Sequence, residues 1–349
     1  MKTKIIKLKE DKLSKEDLEI IDQAFRDGKL VVFPTETVYG LGANGLDPDA
    51  DKKIFKAKGR PSDNPLILHI AYMSQINELV KEIPDVAREL SDNFWPGPLT
   101  MIFNKSDLVP DAVTAGLDTV AIRMPSHPVA REILKYTKLP IAAPSANLSG
   151  KPSPTTYKRV MEDLDGLVDI IVDGGKPSYG IESTVLDLTS DPAMILRPGG
   201  VTKEDLKKII PNIAIDNTII DSNDKTIPKS PGQKYKHYAP KADCYTFAGD
   251  PFNVVNEINK RIETNKDKKI AVLATDQTVD EYEGAYMVIN LGSRENLREI
   301  AQNLFEALRS CDDNKVDIIY AEGFELRGLG VGIMNRLLKA SAGKVVLGL

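Results

Sequence analysis

Cysteine is scarce in this chain, since Cys244 and Cys311 are the only two among 349 residues. Neither belongs to a C-x-x-C pair, so we expect no disulfide framework and no cysteine-based metal site. No apolar run approaches the ~18 residues that a membrane-spanning helix needs. The first residues are charged and give no sign of a signal peptide, so we expect a cytoplasmic protein in a reducing compartment.

A strong charge of one sign is also lacking, because the formal net charge is only −5. This value argues against sequence-independent nucleic-acid binding by the whole surface, although a local basic patch stays possible. Three familiar catalytic motifs are missing too: the Walker lysine motif, H-E-x-x-H and G-x-S-x-G. The sequence therefore does not indicate a P-loop nucleotidase, a zinc protease or a serine hydrolase of the α/β type.

The alternation of predicted strands and helices indicates an α/β protein. The length exceeds the ~250 residues of a typical single core, which predicts two domains. Over residues 1–216, several strands follow one another without a helix, which favours a twisted mixed sheet with helices. Residues 217–241 are polar and punctuated by prolines, as is typical of a linker. Residues 242–349 resume a β-α-β alternation and predict a smaller Rossmann-like α/β domain.

Residues 30–70 are the segment around which the first domain is organised. Two apolar runs, Leu30–Phe33 and Leu66–Ile70, are typical of buried strands, and each is joined to a polar turn. A helix over 49–58 would bring both turns to one edge of the sheet. Ligand sites of α/β proteins lie at such edges.

Lys58-Gly59-Arg60 is a candidate phosphate site. Gly59 is expected to end the helix and leave both cations in an extended loop, where they could bind phosphate oxygens. The spacing alone slightly favours the alternative, a solvated helix end that suits the helix dipole.

Other polar residues are candidates by position. Ser145 and Asn147 could offer a donor and an acceptor to a ligand, or could simply cap a helix. Arg123 and Arg197 each end a buried strand and require an anion nearby. His69 ends an apolar strand, where a histidine more often belongs to the core.

Thr35-Glu36-Thr37 is a weaker candidate, since mid-strand threonines are often structural and a surface glutamate is usually solvated. The carboxylate of Glu36 is nevertheless notable, because it follows Pro34 directly and precedes a predicted turn at Tyr39-Gly40. The glycine-rich segment 328–332 does not fit a dinucleotide fingerprint and predicts a turn that enters a helix.

Taken together, these segments resemble the signature segments of the threonylcarbamoyl-AMP synthases, the YrdC-like family. The matching segments are 34–41, 58–61 with 64–66, 95–100, 123–125 and 143–147. The family's K-x-R and S-x-N tetrad is present as Lys58, Arg60, Ser145 and Asn147. Residues 230–240 and the domain after them resemble the long, two-domain form of the family.

The resemblance implies a YrdC-like first domain and a nucleotidyltransferase reaction. L-Threonine, bicarbonate and ATP, with Mg²⁺, would yield L-threonylcarbamoyl-adenylate and pyrophosphate. The adenylate would serve the N6-threonylcarbamoyladenosine modification beside the anticodon of ANN-decoding tRNAs. The implied partners are these small molecules and, through function, the tRNA threonylcarbamoyl-transfer machinery, with no membrane and no stable nucleic-acid binding.

The resemblance also implies roles for individual residues. Lys58 and Arg60 would be catalytic. The residues implied to bind ATP are Lys58, Arg60, Asn64, Thr119, Ser145, Asn147, Arg197 and Tyr235, the last as a candidate lid. The residues implied to bind threonine are Thr35, His69, Arg123 and Ser183, with Arg123 on the carboxylate. No protein ligand for a metal is expected.

Two other functions stay open from the sequence. A non-catalytic RNA-binding protein could use the same cations, although the negative net charge counts against it. A carbamoyl-transfer enzyme of the hydrogenase-maturation type is the other, but such proteins carry zinc-finger segments, which two cysteines cannot supply.

Overall fold

The computed structural model describes residues 2–216, 219 and 238–348. It divides into two compact units. The first comprises Met1–Ser149, Ser153–Ser178 and Glu182–Lys234, and the second comprises Gly150–Pro152, Tyr179–Ile181 and Tyr235–Leu349. The segments 150–152 and 179–181 thus fall within the second unit, whereas the sequence placed that domain wholly after residue 241. Most of the predicted linker lies outside the described residues.

The first unit is built on one large mixed sheet. Its strands are β1 (Lys4–Lys7), β2 (Val31–Pro34), β3 (Tyr39–Asn44), β4 (Ile67–His69), β5 (Leu99–Asn104), β6 (Thr119–Arg123), β7 (Ile141–Ala142), β8 (Ile170–Asp173), β9 (Thr184–Asp187), β10 (Met194–Arg197) and β11 (Ala214–Ile215). They lie in the order β1-β8-β2-β3-β7-β4-β6-β5-β9-β10-β11. The sheet contains parallel pairs such as β4 with β6 and antiparallel pairs such as β5 with β6, so the predicted mixed sheet is confirmed.

The helices of this unit follow from local sequence signals. They are α1 (Lys15–Arg26), α2 (Pro48–Lys58), α3 (Ile76–Leu79), α4 (Asp85–Phe94), α5 (Asp111–Thr114), α6 (Pro128–Thr137), α7 (Tyr157–Leu164) and α8 (Lys203–Lys207). Ser14 and Asp17 form a capping box at the start of α1. Asp47 caps the first turn of α2, and Gly59 ends that helix in the left-handed conformation (φ 60°).

The core of the first unit covers both faces of the sheet. Along β2, Val32 belongs to one apolar cluster, whereas Val31 and Phe33 belong to the other. This division follows from the alternation of side chains along a strand. The predicted turn at Tyr39-Gly40 is wrong, because β3 begins at Tyr39 and pairs with β2.

The second unit has a five-stranded sheet that is parallel throughout, which confirms the Rossmann-like prediction. Its strands are β12 (Asp243–Gly249), β13 (Ile270–Ala274), β14 (Met287–Asn290), β15 (Ile318–Glu322) and β16 (Val345–Gly348), in the order β14-β13-β15-β12-β16. Its helices are α9 (Pro251–Thr264), α10 (Leu297–Asp313) and α11 (Leu329–Ala340). Gly328 precedes α11, as predicted for the glycine-rich segment. In the part of the chain described, no helix is long and apolar enough to cross a membrane.

Candidate active site

A row of polar side chains lies at one edge of the first unit's sheet. His69 is the last residue of β4 and pairs in register with Arg123, the last residue of β6. On the other side of β6, Arg123 pairs in register with Thr100 of β5. The topology alone therefore places these three side chains next to one another.

The row continues onto β9 and β10 through hydrogen bonds. Ser183, which is fully buried, lies directly before β9. Its hydroxyl lies 2.7 Å from the Thr100 hydroxyl. Arg197, the last residue of β10, donates from Nε to the Ser183 carbonyl and from Nη2 to Ser183 Oγ, both at 3.0 Å. A guanidinium is thereby fixed beside two hydroxyls.

The loop between β2 and β3 contacts Arg123 in this row. The Thr35 hydroxyl donates to the Val38 carbonyl (2.7 Å), which stabilises the turn. Arg123 Nη1 donates to the Thr37 hydroxyl (2.9 Å), and Arg123 Nη2 lies 2.6 Å from Glu36 Oε1. The threonine residues that the sequence suggested as structural thus surround a buried ion pair.

Lys58 meets the loop that carries Ser145 and Asn147. Its Nζ donates to the carbonyl oxygens of Ser145 (2.5 Å) and Asn147 (2.7 Å). Lys58 is 3% exposed and Arg60 is 8% exposed, so a solvated helix end is excluded. The predicted extended loop for both cations is also wrong, because Lys58 is the last residue of α2 and only Arg60 lies beyond Gly59.

Arg60 and Asn64 form a second contact on this side of the site. Arg60 Nη2 donates to the Asn64 carbonyl at 3.1 Å. Asn64 is fully buried, yet neither polar atom of its side chain has a partner among the described residues. A buried amide of this kind is unfavourable unless something else pairs with it, which makes Asn64 a credible ligand contact.

The two groups of residues are joined through β3. Ser145 forms an isolated bridge with Gly40, and the Leu41 N–H donates to the Pro144 carbonyl (2.8 Å). The loop that carries Ser145, which Lys58 contacts, thus lies against the start of β3. Thr119 is not part of this arrangement around Arg123, because it begins β6 and lies four residues, or about 13 Å, along the strand.

Burial sets the electrostatics of the site. Arg123 is 3% exposed and Arg197 is 6% exposed, so these two cations of the candidate site are buried, as Lys58 and Arg60 are. Desolvation, with a smaller contribution from the nearby Arg123 charge, lowers the pKa of His69 to about 3. His69 is therefore neutral at physiological pH, and the buried guanidinium and ammonium groups can pair with anionic ligand groups.

Sequence reasoning assigned neither Thr100 nor His127 to the site, and it named Thr37 only as part of a weaker candidate. Thr37 and Thr100 both lie within segments that carried the family resemblance, so their positions were visible but their contacts were not. His127 precedes α6, where its Nδ1 accepts from the Val129 N–H. Tyr235, the candidate lid, lies outside the described residues, and its role stays a prediction.

Metal binding can be assessed from the donor groups of the same residues. Within residues 2–216, 219 and 238–348, no three His, Cys, Asp or Glu side chains are grouped so that they could hold an ion. The cations of the site would repel Mg²⁺ but attract phosphate.

Comparison with protein families covers nearly the whole chain. Residues 23–199 match the family described as "Telomere recombination". Residues 201–342 match the family described as "Threonylcarbamoyl-AMP synthase, C-terminal domain".

Individual relatives agree with these matches. The chain is 49% identical to the threonylcarbamoyl-AMP synthase of Pyrococcus abyssi over 326 residues, covering 92% of this chain and 93% of the relative. It is also 49% identical to that of Bacillus subtilis over 339 residues, covering 96% of both. The crystal structure of P. abyssi Sua5 complexed with L-threonine superposes with a TM-score of 0.93 at 46% identity, covering 99% of each chain.

Proposed function

We propose, from the premise that this chain belongs to the threonylcarbamoyl-AMP synthase family, that it makes L-threonylcarbamoyl-adenylate. The substrates would be L-threonine, bicarbonate and ATP, and the second product would be pyrophosphate. We further propose that the adenylate serves the N6-threonylcarbamoyladenosine modification beside the anticodon of ANN-decoding tRNAs. The names of the relatives and the threonine complex of one of them support this proposal.

One observation carries the proposal: Lys58 Nζ binds the loop of Ser145 and Asn147, which itself pairs with Gly40. Gly40 lies three residues after Thr37, which accepts from Arg123. These contacts support the proposal that the residues expected to bind ATP and those expected to bind threonine belong to one site.

The proposed placement of the ligands follows from the charges. The phosphates of ATP would lie against Lys58, Arg60 and Arg197, with Asn64, Thr119, Ser145 and Asn147 as polar contacts. The carboxylate of threonine would pair with the Arg123 fork, a geometry that suits two oxygens. Thr35, His69 and Ser183 would line the remainder of the amino-acid pocket.

The chemistry then requires positioning rather than a protein nucleophile. The threonine amine takes up CO₂ as a carbamate, and a carbamate oxygen attacks the α-phosphorus of ATP while pyrophosphate leaves. Charge builds up on phosphate oxygens during such a transfer, and fixed cations in a water-poor site stabilise it. Mg²⁺ would enter with ATP and would neutralise part of the phosphate charge, held by the nucleotide rather than by dedicated protein ligands.

The partners of the protein follow from the fate of its product. An acyl-adenylate hydrolyses readily, so we propose functional coupling to the tRNA threonylcarbamoyl-transfer machinery. The net charge of −5 does not favour stable binding of nucleic acid by this chain. We therefore propose that the coupling does not require this chain to bind tRNA stably.

The test is pyrophosphate release from ATP, measured with and without threonine and bicarbonate. The proposal expects release that requires both. Lys58→Ala and Arg60→Ala should each lower kcat/KM about 100-fold or more, the usual effect of removing an electrostatic stabiliser. Lys56→Ala is the matched control, since Lys56 is exposed on the same helix. Unchanged rates in both site variants would refute the site assignment.

A further inference from the structure

Glu36 is a buried carboxylate to which the proposed function gives no role. It lies in the loop between β2 and β3 and is 2% exposed. Its Oε1 lies 2.6 Å from Arg123 Nη2, but the two groups are not aligned for a hydrogen bond. Neither carboxylate oxygen has an aligned donor among the described residues. Charge alone therefore holds Glu36, and its lone pairs stay open to a further donor.

Arg123 keeps donors open as well. A guanidinium has five N–H groups. Nε donates to the Gly97 carbonyl (3.3 Å), and Nη1 donates to the Thr37 hydroxyl (2.9 Å). Nη2 has no hydrogen-bond partner among the described residues, so it can donate to a second carboxylate while Glu36 stays beside it.

A cation and an anion side by side match the two charges of a free α-amino acid. The carboxylate and the ammonium of an amino acid are attached to the same carbon. When the carboxylate pairs with Arg123, the ammonium therefore lies close to Glu36, which is next to Arg123. The bound zwitterion adds no net charge to a buried ion pair, which keeps the electrostatic cost of binding low.

The two histidines near this pair are poor proton acceptors. Burial lowers the pKa of His69 to about 3, with Arg123 as a second cause, so its ring is neutral and weakly basic. Burial also lowers the pKa of His127, which faces Glu36, and its Nδ1 lone pair is used by the Val129 N–H. Glu36 is the carboxylate that lies beside Arg123, and neither of its oxygens is used by another donor among the described residues.

We propose that Glu36 binds the α-ammonium of the amino-acid substrate and accepts its proton as the amine becomes a nucleophile. This inference rests on the proposed function. The N–H bond breaks and the proton moves to a Glu36 oxygen, while the nitrogen keeps the electron pair. Bicarbonate loses hydroxide to give CO₂, and the Glu36 proton neutralises that hydroxide as water.

The nitrogen pair then forms the bond to the carbon of CO₂, and one C=O electron pair moves onto oxygen. A second nitrogen proton leaves to solvent and gives the carbamate. The sum is ammonium plus bicarbonate going to carbamate, water and one proton, and Glu36 ends as the carboxylate it was at the start.

A binding experiment separates contact with the ammonium from mere support of Arg123. Calorimetry compares L-threonine with 2,3-dihydroxybutanoate, in which a hydroxyl replaces the ammonium. We expect the unmodified protein to prefer threonine about 10- to 100-fold, the range of one charge-assisted contact. Glu36→Gln should lose that preference while still binding the analogue.

Thr37→Val is the matched control, because it removes the hydroxyl that accepts from Arg123 but keeps the carboxylate of Glu36. Thr37→Val should weaken the binding of threonine and of the analogue equally, and so preserve the preference for threonine. If Glu36→Gln instead weakens both ligands equally, Glu36 only supports Arg123 and the proposal is overturned. Glu36→Asp provides a second variant should Glu36→Gln not fold, and it should retain a preference for threonine.

The pH profile of pyrophosphate release tests the proton transfer. Glu36→Gln should lower kcat at pH 7 at least 100-fold, the usual contribution of a general base. Its remaining activity should rise toward the alkaline pH at which free threonine amine forms in solution. An unchanged profile would overturn the transfer step. A protein that binds threonine with the expected preference but releases no pyrophosphate would refute the proposed function and leave the ammonium contact standing.

Discussion

Arg197 and Ser183 form a two-point contact across β9 and β10. Arg197 Nε donates to the Ser183 carbonyl and Arg197 Nη2 donates to Ser183 Oγ, each at 3.0 Å. The resemblance to the family had assigned Arg197 to ATP and Ser183 to threonine. Through this contact the hydroxyl of Ser183, a residue proposed to bind threonine, orients Arg197, a residue proposed to bind ATP.

We expect Ser183→Ala to lower kcat/KM for ATP as well as for threonine. The change removes one acceptor from the guanidinium and the hydroxyl partner of Thr100. A hydrogen bond to a charged group contributes about 1.5–3 kcal/mol, so kcat/KM should fall about 10- to 100-fold for threonine and for ATP. Steady-state kinetics with each substrate varied in turn gives both values.

Ser190→Ala is the control for this substitution. Ser190 lies just after β9, and its hydroxyl donates only locally, to the Asp187 carbonyl. Its removal should leave both kcat/KM values unchanged. A Ser183→Ala variant that affects threonine alone would show that Arg197 does not depend on this hydroxyl.

Much of the fold could be predicted because apolar periodicity and capping residues are local signals. The buried strand predicted over 30–33 and the helix predicted over 49–58 correspond to β2 and α2. β3 was missed because its glycines resemble a turn. In the structure a Cβ on Gly42 would lie 2.7 Å from the Phe33 ring, so glycine there serves close packing between strands.

The site was harder to predict than the fold, because its geometry depends on strand order. Nothing local in the sequence says that β6 lies between β4 and β5, and that order is what places His69, Arg123 and Thr100 in one row. Burial of Lys58 was equally invisible, since a lysine at a helix end is usually solvated. The family resemblance named these residues, but their contacts come from the structure.

Asn64 gives a prediction in which function and stability separate. Its side-chain amide is fully buried and has no partner among the described residues. Asn64→Ala should therefore raise the KM for ATP about 10-fold while changing the free energy of unfolding by less than about 1 kcal/mol. The fluorescence of Trp95, the only tryptophan, reports unfolding of the first unit.

Asn44→Ala should show the opposite behaviour and serves as the comparison. The Asn44 side chain accepts from the Leu46 N–H at 3.1 Å. Its removal should lower the free energy of unfolding by about 0.5–1.5 kcal/mol and leave the KM for ATP unchanged. If Asn64→Ala behaves in the same way as Asn44→Ala, Asn64 is a structural residue and not a nucleotide contact.

The second unit contains a buried carboxylate of another kind, Glu322, at the end of β15. It is fully buried and accepts from the hydroxyls of Tyr282 (2.7 Å), Thr275 (3.0 Å) and Thr278, and it pairs with Arg294 at 2.5 Å. Unlike Glu36, it is satisfied by several neighbours. We interpret this network as structural support for the loops that follow β13 and β14.

Tyr282→Phe should therefore destabilise the second unit by about 1.5–3 kcal/mol, the contribution of a hydrogen bond to a charged group. Hydrogen exchange of the amides in β13 and β15 measures this locally. Tyr286→Phe is the control, since that ring is 51% exposed and should leave exchange unchanged. Equal protection in both variants would mean that the network does not stabilise these strands.

Asp51 predicts how the stability of the first unit depends on pH. It lies on α2, is fully buried, and neither oxygen has a partner among the described residues. Burial, with a smaller contribution from the Asp47 charge, raises the pKa of Asp51 to about 8, against 3.8 for the ordinary group. Between these two values the folded chain holds a proton that the unfolded chain has lost.

The free energy of unfolding should consequently fall as the pH rises toward 8, by up to about 1.4 kcal/mol per pH unit from this group. Asp51→Asn cannot ionise, so its denaturation midpoints, followed by Trp95 fluorescence from pH 6 to 9, should vary less with pH. Asp49→Asn alters an exposed carboxylate of the same helix, whose pKa is lowered by its hydrogen bond to Lys52, and should keep the fall. An Asp51→Asn variant that loses stability with pH as steeply as the unmodified protein would show that Asp51 is ionised in the fold, with a compensating partner.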